Sequence, residues 1–137
     1  MLFAFDFDGT LADAEMTVLL GEEAGVADEI AGIVDRAMND EVAYATSLRE
    51  RVALLEGLPE SRVETAYDRI TLRTGSADLI AALRGAGHDV VILTGGFEDA
   101  VVAILTDAGI EVDDLVANRL PVENGALTGE IEGPLVE

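Results

Sequence analysis

Asp6 and Asp8 stand two residues apart, where the apolar run of residues 2–7 meets the turn signal Asp8-Gly9. In an extended chain alternate side chains share a face, so both carboxylates point to one side while Phe5 and Phe7 point to the other. Two carboxylates that close repel each other unless a cation or a shared proton compensates. A Mg²⁺ site built from hard oxygen ligands is the natural reading. One of the pair can attack phosphorus, since aspartate is a nucleophile that forms aspartyl-phosphate. The other can protonate a departing alkoxide and later deprotonate water. An isolated Asp-x-Asp-Gly is also what a plain strand-to-turn transition looks like, with Asp-Gly supplying the turn.

Three further groups have the chemistry to join such a pair. Thr94-Gly95-Gly96 lies between an apolar strand and a helical pattern. At that junction free backbone N–H groups, the helix dipole and a hydroxyl suit an anion such as phosphoryl oxygen, although an ordinary Gly-rich turn reads the same way. At about 100° per residue, Leu48, Val52 and Leu55 form an apolar stripe with Arg51 inside it and Arg49 on the solvent side. An inward guanidinium needs a partner. A substrate carboxylate gripped bidentately and a structural pair with one of the many acids serve equally well on geometry. Glu15 opens the helical block after Asp8 and either faces the same cavity or is an ordinary acid of a first helical turn. His88, the only histidine, precedes a strand and reads as structural.

The elements that must position these groups follow from periodicity. Residues 2–7 form a buried first strand. Residues 15–24, 27–38, 41–56 and 60–70 carry helix-period patterns separated by Gly25, Asn39-Asp40 and the segment 57–59. Ser76 caps a further helix that Gly85 and Gly87 end, and residues 90–94 form a second apolar strand. A helix with Ala100, Val101, Ile104, Leu105 and Ala108 on one side is stopped by Gly109, and residues 115–117 form a third short strand. Asn124-Gly125, between residues 120–122 and 126–131, signals a β-hairpin with a type I′ turn. The fold class is therefore α/β: a Rossmann-like parallel sheet with helices on its faces, an inserted helical cap and a β-hairpin. Residues 1–12 and 76–137 form the core and residues 13–75 the cap. Parallel sheets bind ligands beyond the carboxyl ends of their strands, which puts chemistry at residues 6–10, 94–96 and 117–119.

Composition narrows the function. The 137 residues carry 28 acids against 8 Arg and no Lys, for a formal charge of −20. Nucleic acid and anionic membrane both demand a basic face, so neither is a partner. Self-repulsion of this size is screened at molar salt, where the Debye length is about 3 Å, and this points to a salt-loving cytoplasm. There is no Cys, so disulfides and thiolate metal sites are excluded. No segment reaches the roughly 20 apolar residues of a membrane span, and residues 1–7 do not form a signal peptide.

The motifs resemble those of a known family. Asp6-Phe7-Asp8-Gly9-Thr10-Leu11 is similar to the first signature of haloacid dehalogenase-type phosphatases, and Ile92-Leu93-Thr94-Gly95-Gly96-Phe97 to the second. Glu15, Ser47-Leu48-Arg49-Glu50-Arg51-Val52, Ala117-Asn118-Arg119-Leu120 and Leu127-Thr128-Gly129 occur in the order found in the phosphoserine phosphatase branch. The resemblance implies hydrolysis of the small phosphomonoester O-phospho-L-serine, with Mg²⁺, as the last step of serine biosynthesis. It makes Asp6 the nucleophile and a metal ligand. Asp8 becomes the general acid/base and lends its backbone carbonyl to the metal. Thr94 and Gly95 hold the phosphoryl group, Glu15 the substrate ammonium and Arg51 its carboxylate, while Met38 and Tyr44 line the substrate pocket.

Two departures stand out. The family usually has Ser where this chain has Thr94. It also continues past the region matching residues 133–137 into a Lys and a Gly-Asp-Gly strand end, neither of which is found here. The expectation is therefore a C-terminally truncated core with weak or absent activity. Its first strand has an open edge that invites association, a homodimer included. Two other readings are a different small-molecule phosphatase of the same superfamily, which needs neither Glu15 nor Arg51, and a non-catalytic phosphate-binding module.

Overall fold

The computed structural model describes residues 1–39, 43–134 and 136. Three parallel strands, β1 (Leu2–Phe5), β2 (Asp89–Phe97) and β3 (Asp114–Asn118), form a sheet with β2 in the middle. Phe5 pairs with Ile92 and Ile92 with Leu115, so the three strands run in step to one end. α5 (Ser76–Gly85) and α6 (Glu98–Asp107) pack on the sheet. They cover the face carrying Val90 and Ile92, whereas Leu2 and Leu93 on the opposite face are exposed. Among the described residues β1 is an edge strand of this sheet.

Between β1 and α5 lie four helices: α1 (Met16–Ala24), α2 (Ala27–Met38), α3 (Tyr44–Ala53) and α4 (Glu60–Asp68). α1 packs against α2 and α4, and α2 against α3. The apolar stripe predicted for α3 is buried through Leu48, Val52 and Leu55. Fully burying an aliphatic side chain of this size contributes roughly 1.5–3 kcal/mol. The predicted start of that helix at residue 41 lies outside the described residues. Its C-terminus comes three residues early, because residues 54–57 turn to meet the hairpin.

Two crossing segments tie the helical block to the sheet. Ala12 bridges Leu72, with Asp13 N–H donating to Thr71 O and Arg73 N–H to Leu11 O. Ser76 does not cap its helix as its position predicts. Gly75 takes the cap position, and the buried Ser76 hydroxyl donates to Leu11 O at 3.0 Å, which fastens α5 to the first loop. The short strands β4 (Val122–Glu123) and β5 (Ala126–Leu127) form the predicted hairpin, with Asn124 and Gly125 both at positive φ (54° and 77°) as a type I′ turn demands. Gly57 N–H donates to Leu127 O and Leu127 N–H to Leu58 O, so the hairpin is stitched to the link before α4. One contiguous apolar core joins Phe7, Met16, Leu20, Val52, Leu55, Ile92 and Phe97.

Candidate active site

The first acids sit on a turn, and the unbroken strand predicted from alternation stops short of them. β1 ends at Phe5, and Asp6 is still extended, with its Oδ1 accepting the Phe7 N–H at 2.8 Å. The chain then bends through residues Phe7–Leu11, closed by Ala12 N–H donating to Phe7 O at 2.9 Å. Gly9 supplies the left-handed conformation (φ 75°) that this bend needs. Phe7 is fully buried, so the turn is drawn inward: Asp6 is exposed while Asp8 is largely enclosed. The two carboxylates thus have different environments, which simple alternation could not foresee.

Asp8 caps α1 from outside the helix, its Oδ2 accepting the Met16 N–H at 2.9 Å. Its buried Oδ1 takes no hydrogen bond among the described residues. Burial is the main force lifting the Asp8 carboxyl from its usual 3.8 to about 7. The neighbouring charges of Glu15 and Asp6 add to the rise, and the Met16 N–H and Arg51 oppose it. A carboxyl that holds a proton near neutrality and can release it is what general acid–base chemistry requires.

Thr94, Gly95 and Gly96 are an irregular extension of β2, with the pairing register shifting between Leu93 and Phe97, and α6 starts only at Glu98. The buried Thr94 Oγ1 accepts the Gly96 N–H at 2.9 Å. That amide, predicted free for an anion, is therefore taken. The Gly95 carbonyl accepts from the side-chain amide of buried Asn118 at 3.1 Å. Close approach explains the glycines. A β-carbon on Gly96 would come within about 3 Å of Asp8 Oδ1, Met16 Sδ and Thr94 Oγ1, and one on Gly95 would strike the Tyr44 hydroxyl and press on Leu48. Because Asp8 Oδ1 and Thr94 Oγ1 both lie about 3 Å from one point, they are no more than about 6 Å apart. The Asp8 turn and the Thr94 segment therefore share one rim of the sheet.

Arg51 completes the cluster. It is only 3% exposed, so the predicted inward orientation is found, and Arg49 is on the solvent side. Its Nε donates to Ser47 Oγ at 3.1 Å and its Nη1 to Thr17 Oγ1 at 3.2 Å, while Glu15 Oε2 stands 3.9 Å from Nη1. The guanidinium also lies over the Tyr44 ring, 5.9 Å from its centre. Burial raises the Glu15 carboxyl, against the pull of Arg51. Burial likewise pushes the Tyr44 hydroxyl up.

Of the residues predicted from sequence, the structure gathers Asp6, Asp8, Glu15, Tyr44, Arg51, Thr94 and Gly95. Met38 ends α2 and is 78% exposed. His88 is away from the cluster, packed edge-to-face on Phe3. Met16 and Thr17 were missed. Asn118 falls within residues 117–119, expected at this rim, and Ser47 stands four residues before Arg51 on the same helix face, but neither was given a role. A cavity of about 490 Å³ lined by Val63, Tyr67, Phe97, Leu120 and Leu127 includes none of the site acids.

Among the described residues no cluster of three or more metal-binding side chains forms. The oxygens of Asp6 and Asp8 nonetheless suit Mg²⁺, which commonly binds through one or two carboxylates and keeps several waters. The unpartnered Asp8 Oδ1 marks a place where a further polar group fits.

The sequence profile of the haloacid dehalogenase-like hydrolases matches residues 3–137. A phosphoserine phosphatase of Halobacterium salinarum is 54% identical over 99% of this chain and 64% of its own length. Two solved structures each superpose with a TM-score of 0.92 at 40% identity, over 99% of this chain and 64% of theirs. One is a phospho-aspartyl intermediate analogue of phosphoserine phosphatase, the other a substrate-bound phosphoserine phosphatase complex. The chain thus spans a little under two thirds of the length of these relatives. Matched over nearly all of its residues and carrying the paired acids where the fold brings its strands to one rim, the chain belongs to the haloacid dehalogenase-like hydrolase family.

Proposed function

We propose that the protein is a phosphoserine phosphatase, converting O-phospho-L-serine and water to L-serine and phosphate as the final step of serine biosynthesis. The observation that carries this reading is Arg51: a buried cation beside the Asp8–Thr94 rim, held by neutral hydroxyls. A phosphomonoester bearing a carboxylate matches that arrangement, and the 54% identical relative has the same activity in its name. Asp6 attacks phosphorus, and the bond from phosphorus to the serine oxygen breaks as Asp8 gives that oxygen its proton. Asp8 then takes a proton from water, which attacks the aspartyl-phosphate and frees phosphate and Asp6.

Thr94 and Gly95 hold the phosphoryl oxygens, Arg51 the carboxylate and Glu15 the ammonium, with Tyr44 closing the pocket. Magnesium would be held by the Asp6 carboxylate and the Asp8 backbone carbonyl, where it supplies charge neutralisation for the phosphoryl group. In this reading residues 13–75 act as a cap over a core of residues 1–12 and 76–137. The protein works in a salt-rich cytoplasm, consistent with its charge of −20.

These 137 residues alone turn over weakly or not at all in this reading, so the test is phosphate release in molar KCl with magnesium by the chain extended through the family's Lys and Gly-Asp-Gly segment, comparing O-phospho-L-serine with O-phosphoethanolamine, which lacks only the carboxylate. The serine ester is hydrolysed faster, Arg51→Ala removes that preference, and Asp6→Asn abolishes turnover of both. Equal rates on the two esters, or turnover surviving in Asp6→Asn, refute the assignment.

A further inference from the structure

Arg51 owes its direction to two residues that are not themselves charged. Thr17, on α1, and Ser47, on α3, are both buried, and their hydroxyls take the Nη1 and Nε hydrogens at 3.2 and 3.1 Å. Thr17 lies 34 positions from Arg51 in sequence, so the two contacts join separate helices around one guanidinium. Hydroxyls satisfy N–H donors without cancelling the charge, and a buried cation left that way is costly unless an anion arrives. Glu15 fills the role only in part, as a long ion pair. Its closest oxygen is 3.9 Å from Nη1, beyond hydrogen-bond range, and its side chain is 44% exposed. Nη2 donates no hydrogen bond among the described residues, which leaves an N–H edge of the fork for a ligand.

We propose that Thr17 and Ser47 are positioning residues for substrate selection: they lock the guanidinium so that its unused edge faces the carboxylate of the substrate. This rests on the reading of Arg51 given above and goes beyond it. A locked fork binds a carboxylate without first losing rotamer freedom, so removing a lock weakens carboxylate recognition while leaving phosphoryl recognition intact.

The experiment is isothermal titration in molar KCl with magnesium, using two phosphonates that cannot be hydrolysed. One is 2-amino-4-phosphonobutanoate and the other is 3-aminopropylphosphonate, which differs only in lacking the carboxylate. The wild-type protein prefers the first, and Arg51→Ala erases the preference. Thr17→Val and Ser47→Ala each reduce it by about five- to tenfold, the loss of one charge-assisted hydrogen bond, and leave the affinity for 3-aminopropylphosphonate unchanged. Thr17→Ser keeps the hydroxyl and keeps the preference, which separates the hydrogen bond from mere packing and stands in if Thr17→Val does not fold. A preference that survives Thr17→Val and Ser47→Ala yet vanishes in Arg51→Ala overturns this proposal alone. A wild-type protein with no preference overturns the reading of Arg51, and this proposal with it.

Discussion

Replacing Asp8 by Asn tests the electrostatics of the site at its most perturbed group. Burial, helped by the charges of Glu15 and Asp6, lifts the Asp8 carboxyl from 3.8 to about 7. Each tenfold change in an ionisation constant is about 1.4 kcal/mol, so forcing this carboxyl to ionise within the fold costs about 4 kcal/mol. The sign follows from linkage. The folded state holds the proton more tightly than the unfolded chain, so this group's contribution to stability is full below pH 3.8. It erodes as pH rises toward 7 and is gone above that. Between pH 5 and pH 8 the erosion is about 2.5 kcal/mol. Asn keeps the size of the side chain and the acceptor for the Met16 N–H but cannot ionise. Urea unfolding in molar KCl without added metal, run at both pH values, should therefore show Asp8→Asn gaining about 2.5 kcal/mol on the wild type as pH goes from 5 to 8. A difference between the two proteins that does not move with pH, or that moves the other way, refutes the reasoning.

Two other perturbations bear on the fold that carries the site. Gly9→Ala, at φ 75° with no close neighbour to strike, should cost about 1–2 kcal/mol from backbone strain alone, and Gly9→Asn less, because Asn tolerates the left-handed region; equal costs on chemical denaturation would contradict the strain argument. With a charge of −20, the thermal midpoint should climb as KCl is raised from about 0.1 to 1 M, where the Debye length shrinks from about 10 to 3 Å, and a flat midpoint would remove the case for salt dependence.

What was legible in the sequence was whatever repeats along the chain. The stripe that turns Arg51 inward and the Asn124-Gly125 hairpin are local patterns, and each is found at its predicted place, whereas the apolar run before Asp6 is a strand only over residues 2–5 and, lying at the sheet edge, has no buried residue. What was not legible depends on contacts between distant segments. Alternation gave Asp6 and Asp8 the same surroundings, whereas the burial of Phe7 and the approach of Met16 enclose only Asp8. Thr17 reaches Arg51 across 34 positions, and Asn118 reaches Gly95 across 23, with no periodic mark on either. Ser76 had the right type for a cap, but Leu11 O offered its hydroxyl a better partner than the first turn of its own helix.

The central claim is that one rim of the sheet receives a phosphoryl group and a carboxylate together. NMR titration of the protein with O-phospho-L-serine, in molar KCl with magnesium, reads that rim directly. The backbone amides of Asp6, Thr94 and Gly95 and the Nε–H of Arg51 should shift together along a single binding curve. Shifts confined to Val63, Tyr67 and Leu120 around the separate cavity, with those four signals still, would contradict it.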